Sequence, residues 1–473
     1  MKRILLAMAM ANSLVAQNDP DFSKMKIDEI YKNLCASCHG AKFEGGVGGS
    51  LVDGIWKYGS TDADIMKAIR DGNAELGMTA FGKVLDDQKI RSMVIYLREK
   101  EKETRVAGIE FPKPKPGEIT KTELEDYQIE VVTENLSLPW AIAFLPNGDR
   151  LVTEREGALR LIDSKGTLHP TPIEGIPTVV QHGQGGLMEV ALHPEYKENG
   201  WVYLGLSEPH PEDLEKKKKR VMTAVHRGKI KDHKWIDSEV IWRGRLEDYS
   251  TSGAHFGTRF VFQDGYLFFP VGERGGNMKA QDLERAIGKF YRIHDDGRIP
   301  TDNPKFDGTA HPGTWSYGHR NPQGVALHPV TGDLWSTEHG PRGGDELNLI
   351  KPGKNYGWPV VTLGMNYDGT PITDLTEKEG IENPVTAWVP SIAVCGLDFY
   401  NGKQFPKWEN DLLVGALKQQ EIRRVRIENQ KVVSQEVIMK DIGRVRDVAT
   451  GPDGMIYVLL NSPDQLIRLI PAK

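Results

Sequence analysis

From residue 125 or so onward, short apolar runs alternate with polar turns, and the alternation recurs. The stretches WAIAFLPNGDRLVTERE, LMEVALHPEYKENGWVYLGLSE, TRFVFQDGYLFFPVGER, GVALHPVTGDLWSTEH, GLDFYNGKQFPKWENDLLVGALK and DVATGPDGMIYVLLNS each read as strand, turn, strand, often with a third strand to follow. That is six copies, spaced by roughly 50 to 70 residues. Repeated four-stranded units of about this period predict an all-β six-bladed β-propeller. The longer spacings imply loop insertions, among them PEDLEKKKKR, which reads as a solvated loop. A propeller brings equivalent strand ends around one axis, so a site would be assembled from distant parts of the chain.

The first hundred residues follow a different period. DEIYKNLC, DADIMKAIRDG and DDQKIRSMVIYLREK space their apolar residues as helices do, with Asp86 placed to cap the last. Charged residues and alternating prolines then make 106–125 an extended, exposed linker. The expected layout is a leader over 1–16, a small all-α domain over 20–105, the linker, and the propeller over 126–473.

Composition narrows the class. The chain has 473 residues, 39% hydrophobic and 27% charged, which suits a soluble globular protein with more than one domain. A net charge of −6 gives no reason to expect nucleic acid or a membrane surface as partner. The start, MKRILLAMAMANSLVAQ, has basic Lys2 and Arg3, an apolar run and a small Ala16. It reads as a secretory leader, too short to span a bilayer, so a periplasmic or secreted protein without an integral membrane segment is expected. Of three cysteines, Cys395 lies in IAVCGLDF and reads as a buried thiol.

The other two lie in CASCHG. Cys35 and Cys38 at this spacing, with His39 adjacent, form a haem c attachment site, the thiols bonding the vinyl groups and His39 the iron. Zinc would need further ligands, and no second cysteine pair exists. Met78 in LGMTAFGKVL is the candidate second axial ligand, whereas Met66 and Met93 sit on helical faces and read as core. With CASCH, the GMTAFG loop and a last helix bearing Tyr96, this unit resembles the class I cytochrome c domain.

Just upstream of the inner strands stand Gln184 in GQGGL, His255 in SGAHFGTR, Arg320 and Asn321 in GHRNPQG, and Arg444 and Arg446 in GRVRDV. At the ends of second strands stand Glu273 in VGERGG, Glu338 in STEHGPRGGDE and Lys418 in GALKQQ. Cations converging on one site would repel one another unless an anion lay among them, held by guanidinium forks on its carboxylates. His255 beside Glu273 reads as an oriented general base or as a satisfied polar histidine. The glycine-rich GPRGGDELN could turn carbonyl oxygens toward a Ca²⁺.

The stretches GQGGLMEVALHP, HFGTRFVF, VGERG, GKFYRIHDDGRIPTDNP, WSYGHRNPQG, EHGPRGGDELNLI, GKNYGWP, LLVGALK and RVRDV resemble the soluble PQQ-dependent aldose sugar dehydrogenases, six-bladed propellers, over nearly the whole region from about 129 to 470. The resemblance implies that His255 is the base, oriented by Glu273, and that Arg320 lies beside the reactive carbonyl of the quinone. It implies that Gln184, Asn321, Lys418, Arg444 and Arg446 hold PQQ, a polycarboxylate, and that the backbone carbonyls of Gly340 and Pro341 bind Ca²⁺. A second Ca²⁺ near Asp345 and Glu346 is a further option. Ala254 and Glu273 stand where the glucose-oxidising branch has aspartates, which favours the broader aldose branch. The joint expectation is a sugar dehydrogenase that makes aldonolactones and passes electrons through its haem to a soluble cytochrome or another respiratory component. The alternatives are a Ca²⁺-dependent lactone-hydrolysing propeller and a non-catalytic binding propeller attached to a cytochrome.

Overall fold

The structure is a computed structural model that describes residues 22–472 apart from 57, 75, 76 and 108. The expected leader lies outside the described residues.

Among the described residues, six antiparallel sheets follow one another along the chain, five of four strands and one of three. They are the blades of the expected propeller, and each of the six sequence copies falls on the first two strands of one blade. Second strands such as Arg150–Glu154, Leu412–Ala416 and Ile456–Asn461 are buried along their whole length. A strand sandwiched between neighbouring blades has no solvent face, which is why Leu412–Ala416 and most of Ile456–Asn461 are continuously apolar rather than alternating, while the buried Arg150, Thr153 and Glu154 are hydrogen-bonded. The outer strands Lys234–Arg243 and Lys431–Lys440 face water and are largely polar.

The ring is closed by its two ends. Tyr127–Thr133 pairs antiparallel with Gln465–Pro471, so the last blade is built from both termini of the propeller. Tyr127 is the anchor: its ring packs edge-on to Trp408 at 6.2 Å and its hydroxyl donates to Ile438 O at 2.6 Å. That contact locks the last blade to the one before it.

The helical domain comprises α1 (Ile27–Ile30), which runs on through Tyr31–Cys35 into α2 (Ala36–His39), then α3 (Asp62–Asp71) and α4 (Asp87–Val106). Asp86 caps α4 as expected, accepting from Lys89 N at 2.8 Å. Met93 is core and Met66 packs against the same cluster. The linker is extended and largely exposed, as expected. It is laid against the propeller, with Pro116 bridged to Ile129, Lys113 Nζ 2.8 Å from Asp441, and Lys440 over the Phe111 ring. Lys113 and Phe111 thus find partners on the surface that the linker crosses. The helical domain accordingly rests on the propeller of its own chain, and Met365 of the propeller joins its core cluster.

Closure makes a graded prediction. Tyr127→Phe, losing one buried hydrogen bond, should cost about 1 kcal/mol of propeller stability. Tyr127→Ala should cost about 3–5 kcal/mol. Denaturant unfolding of the two variants checks this, and equal costs would show that Tyr127 packing does not hold the ring shut.

Candidate active site

The loop that carries His255 is shaped from below. Arg274, at the end of the neighbouring strand, is buried under it with its guanidinium 3.3 Å from the Phe256 ring centroid. It donates to Ala254 O, to Ser252 O at 2.7 Å and to Val221 O at 3.3 Å. Burial brings its pKa down to about 9. From the adjacent blade, the side-chain oxygen of Gln184 accepts from His255 N at 2.9 Å. These contacts hold His255 at a φ of +54°, a left-handed conformation that a residue with a Cβ adopts only when its surroundings enforce it.

His255 Nδ1 is hydrogen-bonded to Glu273 Oε1. A carboxylate only accepts, so the proton lies on Nδ1 and Nε2 is left as the free acceptor. Glu273 is 0% exposed and also accepts from Asn277 N. Burial pushes its pKa up, but the His255 contact and that N–H more than offset this, and it lies below the usual carboxylate value. For His255, burial is the largest effect and lowers the pKa. Glu273 pulls it up, Arg320 pushes it down, and the net position is below the ordinary histidine value. The imidazole is therefore neutral near pH 7.

Arg320 is 6% exposed. Its backbone N–H donates to Glu338, which also holds His319 Nδ1 at 3.0 Å. Glu338 thus lies buried beneath Arg320 and positions it. The guanidinium donates to His339 O at 3.1 Å and Gly340 O at 2.7 Å, while its Nε is buried without a partner. Asn321 accepts from Gly257 N at 3.1 Å through its side-chain oxygen. Arg446 is buried over Trp140, its centre 4.2 Å from the ring, and donates to Asn461 Oδ1 at 3.2 Å and to Cys395 Sγ at 3.5 Å. Burial holds its pKa below the usual range, with Arg259, Arg444 and Arg155 adding to the depression. Cys395 is buried as expected.

Two members of this group escaped the sequence reading. Arg155, at the end of the second strand of the first repeat, lies near Arg444 and Arg446 with its Nε buried and unpartnered. Applying to TERE the strand-end rule that singled out Lys418 would have found it. His339 is held well below its ordinary pKa by burial and then by Arg320, Arg446, His255 and Arg444. Groups from several blades therefore act on this one imidazole, as a shared central site requires. Lys418 is exposed in the turn of the fifth blade, and that turn is tied to the same region: Leu417 N donates to Ala393 O at 2.8 Å. Asp345 in turn accepts from Ala393 N at 2.6 Å and Gly340 N at 3.1 Å.

Among the described residues, Arg155, Arg320, Lys418, Arg444 and Arg446 have no Asp or Glu oxygen within 4.0 Å. Elsewhere in the propeller, Arg259 is paired with Glu189 at 3.1 Å and Asp447 at 3.3 Å, and Arg424 with Asp411 and Glu436, each at 2.8 Å, while the buried Arg150 and Arg274 spend their N–H groups on carbonyl and hydroxyl oxygens. Unpaired guanidinium groups, two with orphaned buried nitrogens, fit a polyanionic ligand such as PQQ.

The carbonyls expected to bind Ca²⁺ are less open. Gly340 O accepts from Arg320 and Pro341 O from the Ser391 hydroxyl at 2.9 Å, so a cation would use their second lone pairs. A Cβ on Gly340 would lie 1.8 Å from Gly344 O, which explains glycine in this tight strap. Among the described residues no cluster of three or more His, Cys, Asp or Glu is disposed for a metal. Asp345 spends its carboxylate on backbone N–H groups, and burial still lifts its pKa to about 6.

In the helical domain, His39 Nδ1 lies 2.8 Å from Gly49 O, which puts the proton on Nδ1 and leaves Nε2 free for iron. Cys35 is half-buried and Cys38 exposed. Met78 packs against the same cluster as Cys35, together with Leu34, Trp56 and Phe81. This donor set fits a covalently attached haem.

Both parts of the chain resemble known proteins. The glucose/sorbosone dehydrogenase family model matches residues 136–468, and the model of the cbb3-type cytochrome c oxidase subunit III matches residues 23–97. The aldose sugar dehydrogenase YliI of Escherichia coli is 42% identical over 352 residues, 72% of this chain and 92% of that one. The apo-form crystal structure of the E. coli soluble aldose sugar dehydrogenase superposes with a TM-score of 0.69 at 40% identity, covering 73% of this chain and 100% of that one. The PQQ-bound aldose sugar dehydrogenase of Streptomyces coelicolor superposes with a TM-score of 0.60 at 25% identity, covering 73% and 98%. The chain belongs to the glucose/sorbosone dehydrogenase family, as an aldose sugar dehydrogenase propeller preceded by a cytochrome c domain.

Proposed function

We propose that this protein is an exported, periplasmic quinohaemoprotein that oxidises the anomeric carbon of aldoses to aldonolactones and passes the electrons through a covalent haem c to a respiratory acceptor. The observation that carries the reading is the set of unpaired cations around a histidine oriented by a buried carboxylate. Its domains are the cytochrome over 20–105, the linker over 106–125 and the propeller over 126–473, with a leader over 1–16.

When bound, PQQ supplies the two-electron acceptor for the hydride leaving the anomeric carbon. His255 Nε2 takes the proton of the anomeric hydroxyl, and Glu273 steadies the imidazolium so formed. Arg320 places positive charge where negative charge develops during hydride transfer. Arg155, Arg444, Arg446 and Lys418 neutralise the cofactor's carboxylates, while the side-chain N–H groups of Gln184 and Asn321 are free to orient it, their oxygens being spent on the His255 loop. Gly340 and Pro341 are the proposed carbonyl ligands of a Ca²⁺ that would act as a Lewis acid, a role that rests on the resemblance. Cys35 and Cys38 would bond a haem covalently, and His39 and Met78 would bind its iron. A lactone-hydrolysing centre would need metal-binding carboxylates, which this site does not present.

The cofactor requirement is tested on haem-loaded, PQQ-free protein mixed with an aldose. The haem should be reduced only after PQQ and Ca²⁺ are both added, and reduction without PQQ would overturn the proposal. His255→Ala should lower turnover by about a thousandfold while PQQ still binds. Near-normal turnover would remove His255 from the role of base.

The pH dependence follows from the signs above. Activity should fall on acidification only below the ordinary histidine range, because the base must be neutral and its pKa is lowered. Glu273→Gln removes the one partner that raises this pKa, so the acid limb should move to lower pH while turnover drops roughly ten- to a hundredfold. A limb that moves to higher pH would contradict the assigned geometry.

A further inference from the structure

The strap that carries Gly340 and Pro341 continues into Arg342, and Arg342 reaches the cytochrome. Its Nε lies 3.0 and 3.1 Å from the two oxygens of Glu99 and its Nη2 2.7 Å from one of them, a bidentate pair. Glu99, on α4, is 4% exposed. The Arg342 guanidinium also lies 5.7 Å from the Tyr96 ring centroid. Arg342 and Met365 exchange backbone hydrogen bonds at 2.9 and 3.0 Å. Met365 is 0% exposed and belongs to the cytochrome's core cluster, with Val389 packed beside it. A Cβ on Gly343 would touch Ile95 at 3.1 Å, and one on Gly369 would strike Ile27 at 2.7 Å. The contact is therefore close, partly apolar and fastened by an ion pair whose carboxylate is buried and whose guanidinium is part-exposed. Separation would return Met365 and Ile27 to water. Two residues before Arg342, Gly340 O accepts from Arg320.

We propose that Arg342 and Glu99 hold the cytochrome in one fixed docked position on its own propeller, so that electrons leave the sugar site within one chain rather than through a freely swinging tether or a neighbouring molecule. Arg342 is a positioning residue, linking the strap beside Arg320 to the helix that supports the haem domain. The destination of the electrons rests on the proposed function, whereas the docked geometry does not. Each aldose gives up two electrons and two protons on becoming the lactone. The haem iron takes one electron at a time, from Fe(III) to Fe(II), so it must be reoxidised once by an external carrier between the two transfers, and the protons pass to solvent.

The docking is tested on the full, haem-loaded chain without PQQ by amide hydrogen exchange. In the wild type the Arg342 and Met365 amides should be protected. Glu99→Arg, which sets two cations face to face, should speed their exchange roughly tenfold or more, and adding Arg342→Glu to it should restore protection. The haem absorbance reports that the cytochrome still folds. Exchange in the wild type as fast as in Glu99→Arg, or no recovery in the swapped pair, would overturn the docked state. With PQQ and Ca²⁺ present, Glu99→Arg should slow aldose-driven haem reduction roughly tenfold while reduction of a soluble one-electron dye stays unchanged. Unchanged haem reduction in a variant with a loosened strap would overturn the fixed route. Failure of the proposed function would instead abolish dye and haem reduction alike in the wild type, leaving the exchange result standing.

Discussion

Guanidinium groups brought together with no carboxylate in ion-pair contact are the constraint on which this molecule turns. Desolvating Arg446 beside Arg155 and Arg444 is unfavourable unless something negative arrives to offset it. The protein has carboxylates to spare at depth, and it spends them elsewhere. Arg259 is fully matched by Glu189 and Asp447, and it donates as well to Gln323 O, Arg446 O and Trp140 O, tying several blades near the axis. Glu338 and Asp345 are spent on backbone N–H groups that fix the loops on which the unpaired cations stand. Arg259 and Arg424 are neutralised by carboxylates, Arg274 and Lys289 donate to carbonyl oxygens, and Arg155 and Arg320 keep a buried Nε with no partner.

The ring closure at Tyr127 serves the same end. A propeller that opened would let the cations drift apart and relieve their repulsion. Pairing the two termini in one sheet, and fastening that sheet to Trp408 and Ile438, keeps the blades in a closed circle. The fixed circle lets loops separated by well over a hundred residues act on a single imidazole, His339.

Much of this was legible in the sequence because period-2 patterns and turn residues are local signals. The six repeats, the helical first domain, the Asp86 cap and the haem motif all depend on residues a few positions apart. What stayed hidden depends on tertiary placement. Arg274 looks like an ordinary strand-end residue until its burial beneath the 252–256 loop is seen. Gln184 was expected among the cofactor's holders, and its carbonyl oxygen turns out to pin His255 N. The linker's proline and charge pattern describes an extended chain correctly but says nothing of the surface it lies on. The Glu99–Arg342 pair joins residues 243 positions apart, and no local pattern announces it.

The central claim is that the unpaired cations form a site for an anionic cofactor, and calorimetric unfolding of the PQQ-free protein, repeated with increasing PQQ at low and at high salt, tests it most directly. A ligand that binds only the folded state raises the unfolding midpoint with its concentration. The account predicts such a rise, smaller at high salt, and its loss when Arg446 is replaced by methionine. A midpoint indifferent to PQQ would contradict it.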